Sequence, residues 1–279
     1  MRRVTQPTVT FIGGGNMARA IYGGLLDSGF TATNISIVDP STAAQDNARQ
    51  AGIEQVFDRA PDEALSADLI VLAIKPQITN AGLTPLAGRL GPNSVVLSIV
   101  AGISTRSLAT LLGLSDSGPI IRCMPNTPAL VGEGMTGLYS NSHAGAAEGK
   151  ALAERVMSSV GQCVWVEKEP DLDVVTAISG SGPAYFFLFI ESLTDAAIAL
   201  GMDSESARKL ALQTALGASR LASLSDEDAA TLRKNVTSPG GTTEQAIQSF
   251  ETSDIRGIFA RATQAAARRS VELSQEFGV

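Results

Sequence analysis

Hydrophobic residues in the first half of the chain form short continuous runs, separated by stretches of helical periodicity. The runs are TVTFIG, NISIVD, DLIVLAI, SVVLSIV and GPIIRCM. The helical patterns between them cover 15–28, 41–51, 77–90 and 104–112. Apolar runs that alternate with helices are typical of a parallel sheet covered on both faces. We therefore predict an α/β fold with a doubly wound parallel sheet in this half.

Strand signals end at about residue 168, after GMTGLYS, a helical pattern over roughly 144–159 and QCVWVE. The later sequence is helical, and GPAYFFLFIESLTDAAIALGM is apolar around most of its helical circumference. Such a helix must be buried, and in a small helical region a second copy of the chain is the best cover. We predict a dimer, with EKEPDLD as the junction between two domains.

The composition limits the possible partners. The formal charge is −7, and the 21 basic residues form no Lys/Arg block, which argues against binding to nucleic acid. No apolar run approaches the roughly 18 residues of a membrane span, and MRRVTQPTVTFIGGG enters a strand pattern before a signal peptide could develop. We expect a cytoplasmic protein without a membrane partner.

A glycine motif joins the first strand to the first helix. VTFIGGGNMARAI places Gly13, Gly15 and Ala18 at the spacing G-x-G-x-x-A. Gly13 permits the tight turn, Gly15 lets a pyrophosphate approach the backbone, and Ala18 lets helix and strand pack closely. A packing motif without a ligand is the alternative.

We predict a Rossmann-type NAD(P)-binding domain over 1–168 and an all-helical dimerisation and substrate-binding domain over 169–279.

Asp39 ends the second predicted strand, where an acidic residue usually accepts hydrogen bonds from the adenosine ribose. The next arginine is Arg49, at the far end of the following helix, so no dedicated clamp for a 2′-phosphate is visible. This arrangement favours NADH. NADPH stays open, since backbone amides and the hydroxyls of Ser41 or Thr42 could receive the phosphate if Asp39 pointed away.

A second glycine-rich stretch, NVTSPGGTTEQAI at 235–247, comes just before a helical pattern. Glycines permit backbone angles that other residues resist, and the unpaired amides of a helix N-terminus attract anions. The stretch therefore predicts a site for a carboxylate or phosphate. An ordinary capped turn is the alternative, because Ser-Pro and Gly-Gly also occur in inert loops.

The residues that are missing narrow the chemistry. His143 is the only histidine and stands in the polar loop YSNSHAGA, which favours a solvated surface position. Cys123 and Cys163 lie in strand-like runs, as structural thiols do, and with one histidine they form no zinc set. No lysine lies just downstream of SGSGP, where a hydroxyacid dehydrogenase would place its catalytic lysine. A C=N substrate fits this set, because an iminium accepts hydride without a dedicated acid, and Thr243 is a candidate hydroxyl beside the nitrogen.

Six motifs together give a resemblance that covers nearly the whole chain. They are FIGGGNMARAI, LAIKPQ, SIVAGIS, IIRCMPNTPALVGEG, ISGSGPAYFF and NVTSPGGTTEQAI. In this order and spacing the chain resembles the pyrroline-5-carboxylate reductase family. The resemblance implies reduction of 1-pyrroline-5-carboxylate to L-proline by NADPH or NADH, without a metal, in the last step of proline synthesis. It also implies a homodimer and allows a larger ring such as a decamer.

The resemblance also implies roles for individual residues. The substrate carboxylate is expected on the Ser238 hydroxyl and on the amides of Gly240, Gly241 and Thr242, and the ring nitrogen on the Thr243 hydroxyl, the catalytic group. Glu169 matches a position near the substrate. The expected cofactor-binding residues are Gly13, Gly14, Gly15, Asn16, Met17, Ala18, Asp39, Pro40, Ala73, Ile74, Lys75, Pro76, Ala101, Gly102 and Asn235. Met124, Pro125 and Asn126 are expected near the same cleft.

Three further possibilities stay open at this point. Lys75 could be an ordinary solvated lysine at the end of a strand. Another NAD(P)-dependent imine or 3-hydroxyacid oxidoreductase would share the first domain, and a non-catalytic nucleotide-sensing protein would keep the glycine motif without chemistry.

Asp39-Pro40 departs from the relatives that carry Ser or Asn there and accept NADPH, which puts that preference in doubt.

Overall fold

The computed structural model describes residues 6–115, 118–141 and 146–277 of the chain. They form two compact units. The first consists of the described residues within 1–181 and 266–279, and the second is Gly182–Ala265. His143 lies outside the described residues, so the prediction of a surface position for it stays a prediction.

The first unit is built on one sheet of eight strands in the order β3-β2-β1-β4-β5-β6-β7-β8. The strands are β1 (Val9–Ile12), β2 (Ile35–Val38), β3 (Gln55–Phe57), β4 (Leu69–Leu72), β5 (Val95–Ser98), β6 (Ile120–Met124), β7 (Gly134–Ser140) and β8 (Gly161–Trp165). Neighbouring strands are parallel except for the antiparallel pair β6 and β7. The order of the first six is that of the doubly wound dinucleotide-binding fold, so the predicted fold class is confirmed.

Helices cover both faces of this sheet. They are α1 (Asn16–Asp27), α2 (Thr42–Gln50), α3 (Asp62–Leu65), α4 (Thr79–Leu83), α5 (Thr105–Leu112), α6 (Ala146–Ser158) and α7 (Asp171–Val175), which continues as a π-helical turn over Thr176–Gly180. Alternate strand residues enter two separate cores. Phe11 and Val71 belong to one core, and Ile12 and Leu72 to the other. The continuous apolar runs are thus explained by strands buried on both faces.

The structure differs from the pattern-based prediction at several elements, among them the short α3, which was not predicted. The helix expected over 77–90 is broken into a 3₁₀ turn at Pro76–Ile78, the short α4 and a second 3₁₀ turn at Thr84–Leu86. Pro85 lies in the second turn, and proline cannot donate the hydrogen bond that an uninterrupted helix needs. Strand β3 was not predicted, because its three residues form no long apolar run, with Gln55 exposed and Val56 and Phe57 only partly buried.

The second unit is entirely helical. It contains α8 (Gly182–Ala199), α9 (Ser204–Leu224), α10 (Ala229–Asn235), α11 (Thr242–Thr252) and the first part of α12 (Ile255–Phe277). Asp203 and Asp228 are the N-cap residues that precede α9 and α10. Their carboxylates accept from the backbone N–H groups of Ser206 and Thr231. These hydrogen bonds to the charged form lower the pKa of both carboxyl groups.

The apolar helix α8 is poorly covered by its own chain. Phe186, Phe187 and Leu188 are 61%, 64% and 61% exposed. By length and composition alone, the helical stretch Asp171–Ala199 is apolar enough to cross a membrane. A second copy of the chain would cover the same surface, which is the burial predicted from the sequence.

The end of α12 belongs to the first unit. Phe277 packs against the core that contains Ile12, and the Ser270 hydroxyl donates to the Asp173 carboxylate over 2.6 Å. The predicted boundary at 168/169 differs from this division, because α7, the π-helical turn and the end of α12 all pack in the first unit. Compact units and evolutionary domains need not share limits, so the boundary stays a prediction.

The two cysteines are free thiols. Cys123 is on β6 and Cys163 on β8, with β7 between them. Two strand spacings alone separate their Cα atoms by roughly 9–10 Å, and the two residues are also offset along the strands, so they are too far apart for a disulfide. Burial raises the pKa of the Cys123 thiol strongly and that of the Cys163 thiol to a lesser extent. Both groups are therefore held as neutral thiols, poor nucleophiles at neutral pH.

Candidate active site

The turn between β1 and α1 is built around Gly13. Its N–H donates to the Val38 carbonyl over 2.8 Å, and its φ is +102°, a value that suits only glycine. A Cβ at this position would lie 2.5 Å from the carbonyl oxygen of Ala73. The Ala73 N–H in turn donates to the Ile12 carbonyl over 2.8 Å. Gly13 thus lets the ends of β1, β2 and β4 come together.

Gly15 has the opposite environment. It is exposed, it precedes the first residue of α1, and a Cβ built on it would meet nothing within 4 Å. Asn16 and Met17 follow in the first turn, which carries no acidic residue, and Ala18 is buried against the sheet. The open space lies beside unpaired helix amides and the positive end of the helix dipole. This cradle fits a dinucleotide pyrophosphate.

Asp39 stands beside this turn with both carboxylate oxygens hydrogen-bonded. Its Oδ2 accepts from the Gly14 N–H over 2.7 Å, and its Oδ1 accepts from the Ser41 N–H over 2.8 Å. Each oxygen keeps a second acceptor position. The carboxylate is therefore fixed next to the cradle and can still accept a hydrogen bond from a ribose hydroxyl. The next residue, Pro40, is exposed.

Two further loops leave the same edge of the sheet, since parallel strands end together at their carboxyl edge. Ala73, Ile74, Lys75 and Pro76 follow β4, and Lys75 is exposed. Ala101 and Gly102 follow β5, and Gly102 has a φ of +77°. The structure thus brings the predicted cofactor-binding residues of the first unit to one edge. The individual contacts with a cofactor stay predictions.

Glu169 lies in a charged cluster that the sequence did not reveal. Its Oε1 accepts from the Thr105 N–H over 2.7 Å and from the Arg122 guanidinium over 2.8 Å, and its Oε2 accepts from the Thr105 hydroxyl over 2.9 Å. The Arg122 and Glu169 side chains are only 13% and 22% exposed. Burial and then the Glu169 charge raise the pKa of Tyr139, the cross-strand neighbour of Arg122. The cluster ties β6 to the start of α5, immediately after the Gly102 loop.

The segment after β6 is held by a buried amide. Asn126 Nδ2 donates to the Ser179 carbonyl over 3.0 Å, and its Oδ1 accepts from the Met135 N–H over 2.8 Å. The amide thus links this loop to the π-helical turn and to β7. Met124 and Pro125 precede it, and their predicted place near the cleft stays a prediction.

In the second unit, SPGG forms a tight turn before α11. The Gly241 N–H donates to the Ser238 carbonyl over 3.0 Å, and Gly240 has a φ of +73°. Proline at the second position and a glycine with positive φ at the third are the signature of a type II turn. The turn delivers the chain to Gly241, from which α11 starts without a side-chain cap. The helical residues Thr242 and Thr243 therefore present uncapped N-terminal amides.

Within the part of the chain that the structure describes, the hydroxyls of Ser238 and Thr243 have no hydrogen-bond partner. Both remain available to a ligand at this turn. The Gly240 N–H, in contrast, donates to Glu244 Oε2 over 2.8 Å. This contact of Glu244 was not predicted, although a glutamate in the first turn of a helix is a recognised capping signal. Asn235 Nδ2 donates to Glu227 Oε2 over 2.9 Å, and its predicted contact with the nicotinamide end stays a prediction.

No group of three or more His, Cys, Asp or Glu side chains that could hold a metal ion occurs among the described residues.

The sheet order, the glycine turn and the Asp39 carboxylate are those of a protein that binds a nicotinamide dinucleotide, and the relatives of the chain are oxidoreductases. Residues 8–102 match the family model described as NADP oxidoreductase, coenzyme F420-dependent, and residues 169–273 match the model described as pyrroline-5-carboxylate reductase dimerisation. The chain is 43% identical to a pyrroline-5-carboxylate reductase of Pseudomonas aeruginosa over 277 residues, which cover 99% of this chain and all of that one. It belongs to the pyrroline-5-carboxylate reductase family.

Solved structures agree with this assignment. A pyrroline-5-carboxylate reductase from Coxiella burnetii has a TM-score of 0.90 at 39% identity, covering 96% of this chain and 99% of that one. The Plasmodium falciparum pyrroline carboxylate reductase, solved with NADP bound, has a TM-score of 0.82 at 30% identity and covers 96% and 98%. The dimerisation model and the exposed face of α8 together support a homodimer.

The two glycines of the first turn give a matched test of the cofactor cradle. We expect Gly15→Val to abolish measurable binding of NADH and NADPH with little change in melting temperature, because the new side chain meets only the space that the pyrophosphate needs. Gly13→Ala should instead lower the melting temperature, since its strained φ alone costs about 1–3 kcal/mol. Cofactor fluorescence titration and thermal unfolding measure the two effects. Unchanged cofactor affinity in Gly15→Val would show that the pyrophosphate does not approach the backbone at this glycine.

Proposed function

We propose that this protein reduces 1-pyrroline-5-carboxylate to L-proline by hydride transfer from NAD(P)H. The observation that carries the proposal is the turn before α11, where two unpartnered hydroxyls flank uncapped helix amides. The turn suits a small substrate with one carboxylate and one polar atom close to it. The family membership and the pyrophosphate cradle beside Gly15 support the same reaction.

The substrate carboxylate is placed on the Ser238 hydroxyl and on the amides of Gly240, Gly241 and Thr242. The Gly241 N–H already donates to the Ser238 carbonyl, and the Gly240 N–H already donates to Glu244. The Ser238 hydroxyl and the Thr242 N–H are therefore the donors that no other group among the described residues shares. A helix N-terminus favours the negative charge through its dipole as well as its N–H groups. Binding at this point fixes one end of the ring and leaves the C=N bond to the Thr243 hydroxyl.

Thr243 is the proposed catalytic residue. The C=N nitrogen takes a proton from solvent, and the reduced nicotinamide supplies the hydride to the ring carbon when it is bound. The C=N double bond thereby becomes a C–N single bond with an N–H group. The threonine hydroxyl keeps a hydrogen bond to the nitrogen as the iminium becomes an amine, so no histidine or lysine acid is required.

The cofactor preference is proposed to rest on Asp39. Its carboxylate is fixed by two backbone N–H groups and keeps free acceptor positions that could take the hydroxyls of an adenosine ribose. A 2′-phosphate at that point meets a negative charge. We therefore propose that NADH is favoured and that NADPH remains usable. A cytoplasmic location and assembly of the dimers into a larger ring such as a decamer are part of the same proposal.

The direct test is an oxidation assay with NADH and with NADPH in the presence of pyrroline-5-carboxylate. We expect turnover of pyrroline-5-carboxylate with both cofactors. In the reverse direction, we expect no oxidation of a panel of 3-hydroxyacids. Turnover of hydroxyacids would favour the rival oxidoreductase. Cofactor binding without any turnover would favour a nucleotide sensor and would overturn the proposal.

Thr243 and Ser238 should separate catalysis from binding. Thr243→Val keeps the side-chain shape and removes the hydroxyl, so turnover should fall about tenfold to a hundredfold, which corresponds to about 1.4–3 kcal/mol at the transition state. Ser238→Ala should raise KM more than it lowers kcat, because the carboxylate contact is equal in ground and transition states. Steady-state kinetics measure both.

Thr242→Val is the matched control, since Thr242 contributes an amide rather than a hydroxyl and should change kcat and KM little. If Thr243→Val turned over at the wild-type rate, the threonine would be only a helix residue.

Replacing Asp39 should change the choice of cofactor. Asp39→Ser removes the charge, and we expect the ratio of kcat/KM for NADPH to that for NADH to rise about tenfold, which corresponds to about 1.4 kcal/mol of relieved repulsion. Asp39→Asn removes the charge and keeps the side-chain shape, so it should shift the ratio in the same direction. An unchanged ratio in both variants would mean that the ribose is recognised elsewhere.

A further inference from the structure

The Glu244 carboxylate occupies one of the donors that the proposed substrate site needs. Its Oε2 lies 2.8 Å from the Gly240 nitrogen, in hydrogen-bond geometry. Glu244 is the third residue of α11 and is partly buried. Because Gly240 precedes the helix, the Glu244 carboxylate reaches back across the first turn to contact it. The contact satisfies an amide that the SPGG turn leaves without another backbone partner.

The same donor cannot serve two carboxylates at full strength. The substrate carboxylate and the Glu244 carboxylate carry the same charge and seek the same N–H group and the same helix dipole. Bringing both to the turn would place like charges a few ångströms apart, which costs energy. Substrate binding at Gly240 therefore requires the Glu244 side chain to leave.

Nothing else in the described structure holds the Glu244 side chain against such a movement. Among the described residues its carboxylate takes part in no ion pair, unlike Glu251 on the same helix, which pairs with Arg233 and Arg256. Glutamate rotamers interconvert rapidly at partly exposed positions. The Glu244 carboxylate can thus occupy the amide in the free protein and give it up to a ligand.

We propose that Glu244 is an internal competitor that sets the affinity of the site for carboxylates. This inference rests on the proposed substrate site. The apparent dissociation constant of a ligand rises in inverse proportion to the fraction of protein that is competent to bind it. While Glu244 holds the Gly240 amide, the site binds pyrroline-5-carboxylate more weakly than its full set of donors would allow. Proline carries the same carboxylate, so the competitor also weakens product binding and favours product release.

The test replaces Glu244 by alanine and by glutamine. Glu244→Ala removes the competing carboxylate, and we expect KM for pyrroline-5-carboxylate and the inhibition constant of proline each to fall about fivefold to tenfold. Glu244→Gln keeps an oxygen that can accept from Gly240 but loses the charge, so both constants should fall by a smaller factor. Calorimetric titration with proline provides a readout that is independent of turnover.

Glu205→Ala is the matched control. Glu205 is an exposed glutamate in the first turn of α9, in the same unit, and its loss removes the same charge from the start of a different helix. We expect unchanged constants in this variant. Thermal unfolding of all variants checks that the helical unit is intact, and the glutamine variant remains informative if the alanine variant unfolds.

Ser238→Ala distinguishes the two ways in which the inference can fail. If Ser238→Ala raises KM while Glu244→Ala leaves it unchanged or raises it, the substrate site is correct and Glu244 is only a helix cap. If Ser238→Ala also leaves KM unchanged, the substrate carboxylate binds elsewhere, and the competitor role of Glu244 falls with the proposed site. Lower constants in Glu244→Ala, with no change in Glu205→Ala, support the inference.

Discussion

Only glycine fits at position 13, because the carbonyl oxygen of Ala73 occupies the space where a side chain would begin. This close approach lets β1 turn into α1 directly above the ends of β2 and β4, with the Gly13 N–H on the Val38 carbonyl. The position of α1, and with it the open cradle at Gly15, follows from that contact. In the same turn the Gly14 N–H donates to the Asp39 carboxylate. The cofactor side of the site therefore depends on one backbone contact that tolerates no Cβ.

Backbone N–H groups stabilise several carboxylates in this chain. Asp39 accepts from Gly14 and Ser41, Glu169 from Thr105, and Glu244 from Gly240. In each case a carboxylate meets N–H groups at a turn or at the start of a helix, where the backbone leaves them unpaired. A protein with one histidine and no lysine in the expected catalytic position still holds anions in this way. Such a site suits an iminium substrate, which needs orientation more than a strong acid.

The helical unit shows the limit of what one copy of the chain can bury. Its α8 exposes Phe186 and Phe187 by more than half, although both are large apolar side chains. The sequence already indicated this surface, because polar residues are too few to cover the circumference of that helix. The family model for dimerisation covers the same residues, and it supplies the reason for their exposure.

The sequence by itself determined the alternation of strands and helices, the glycine turn and the position of Asp39, because these features depend on neighbours close in the chain. Hydrophobic periodicity and glycine spacing are local signals. It did not reveal β3, whose three residues pair only because β2 lies beside them, or the break at Pro85 in the predicted helix. The cluster of Thr105, Arg122 and Glu169 joins residues up to 64 positions apart, and no spacing rule connects them. Only tertiary structure decided that Glu169 is held by β6 and by the start of α5, since hydrogen-bond partners are chosen by distance in space.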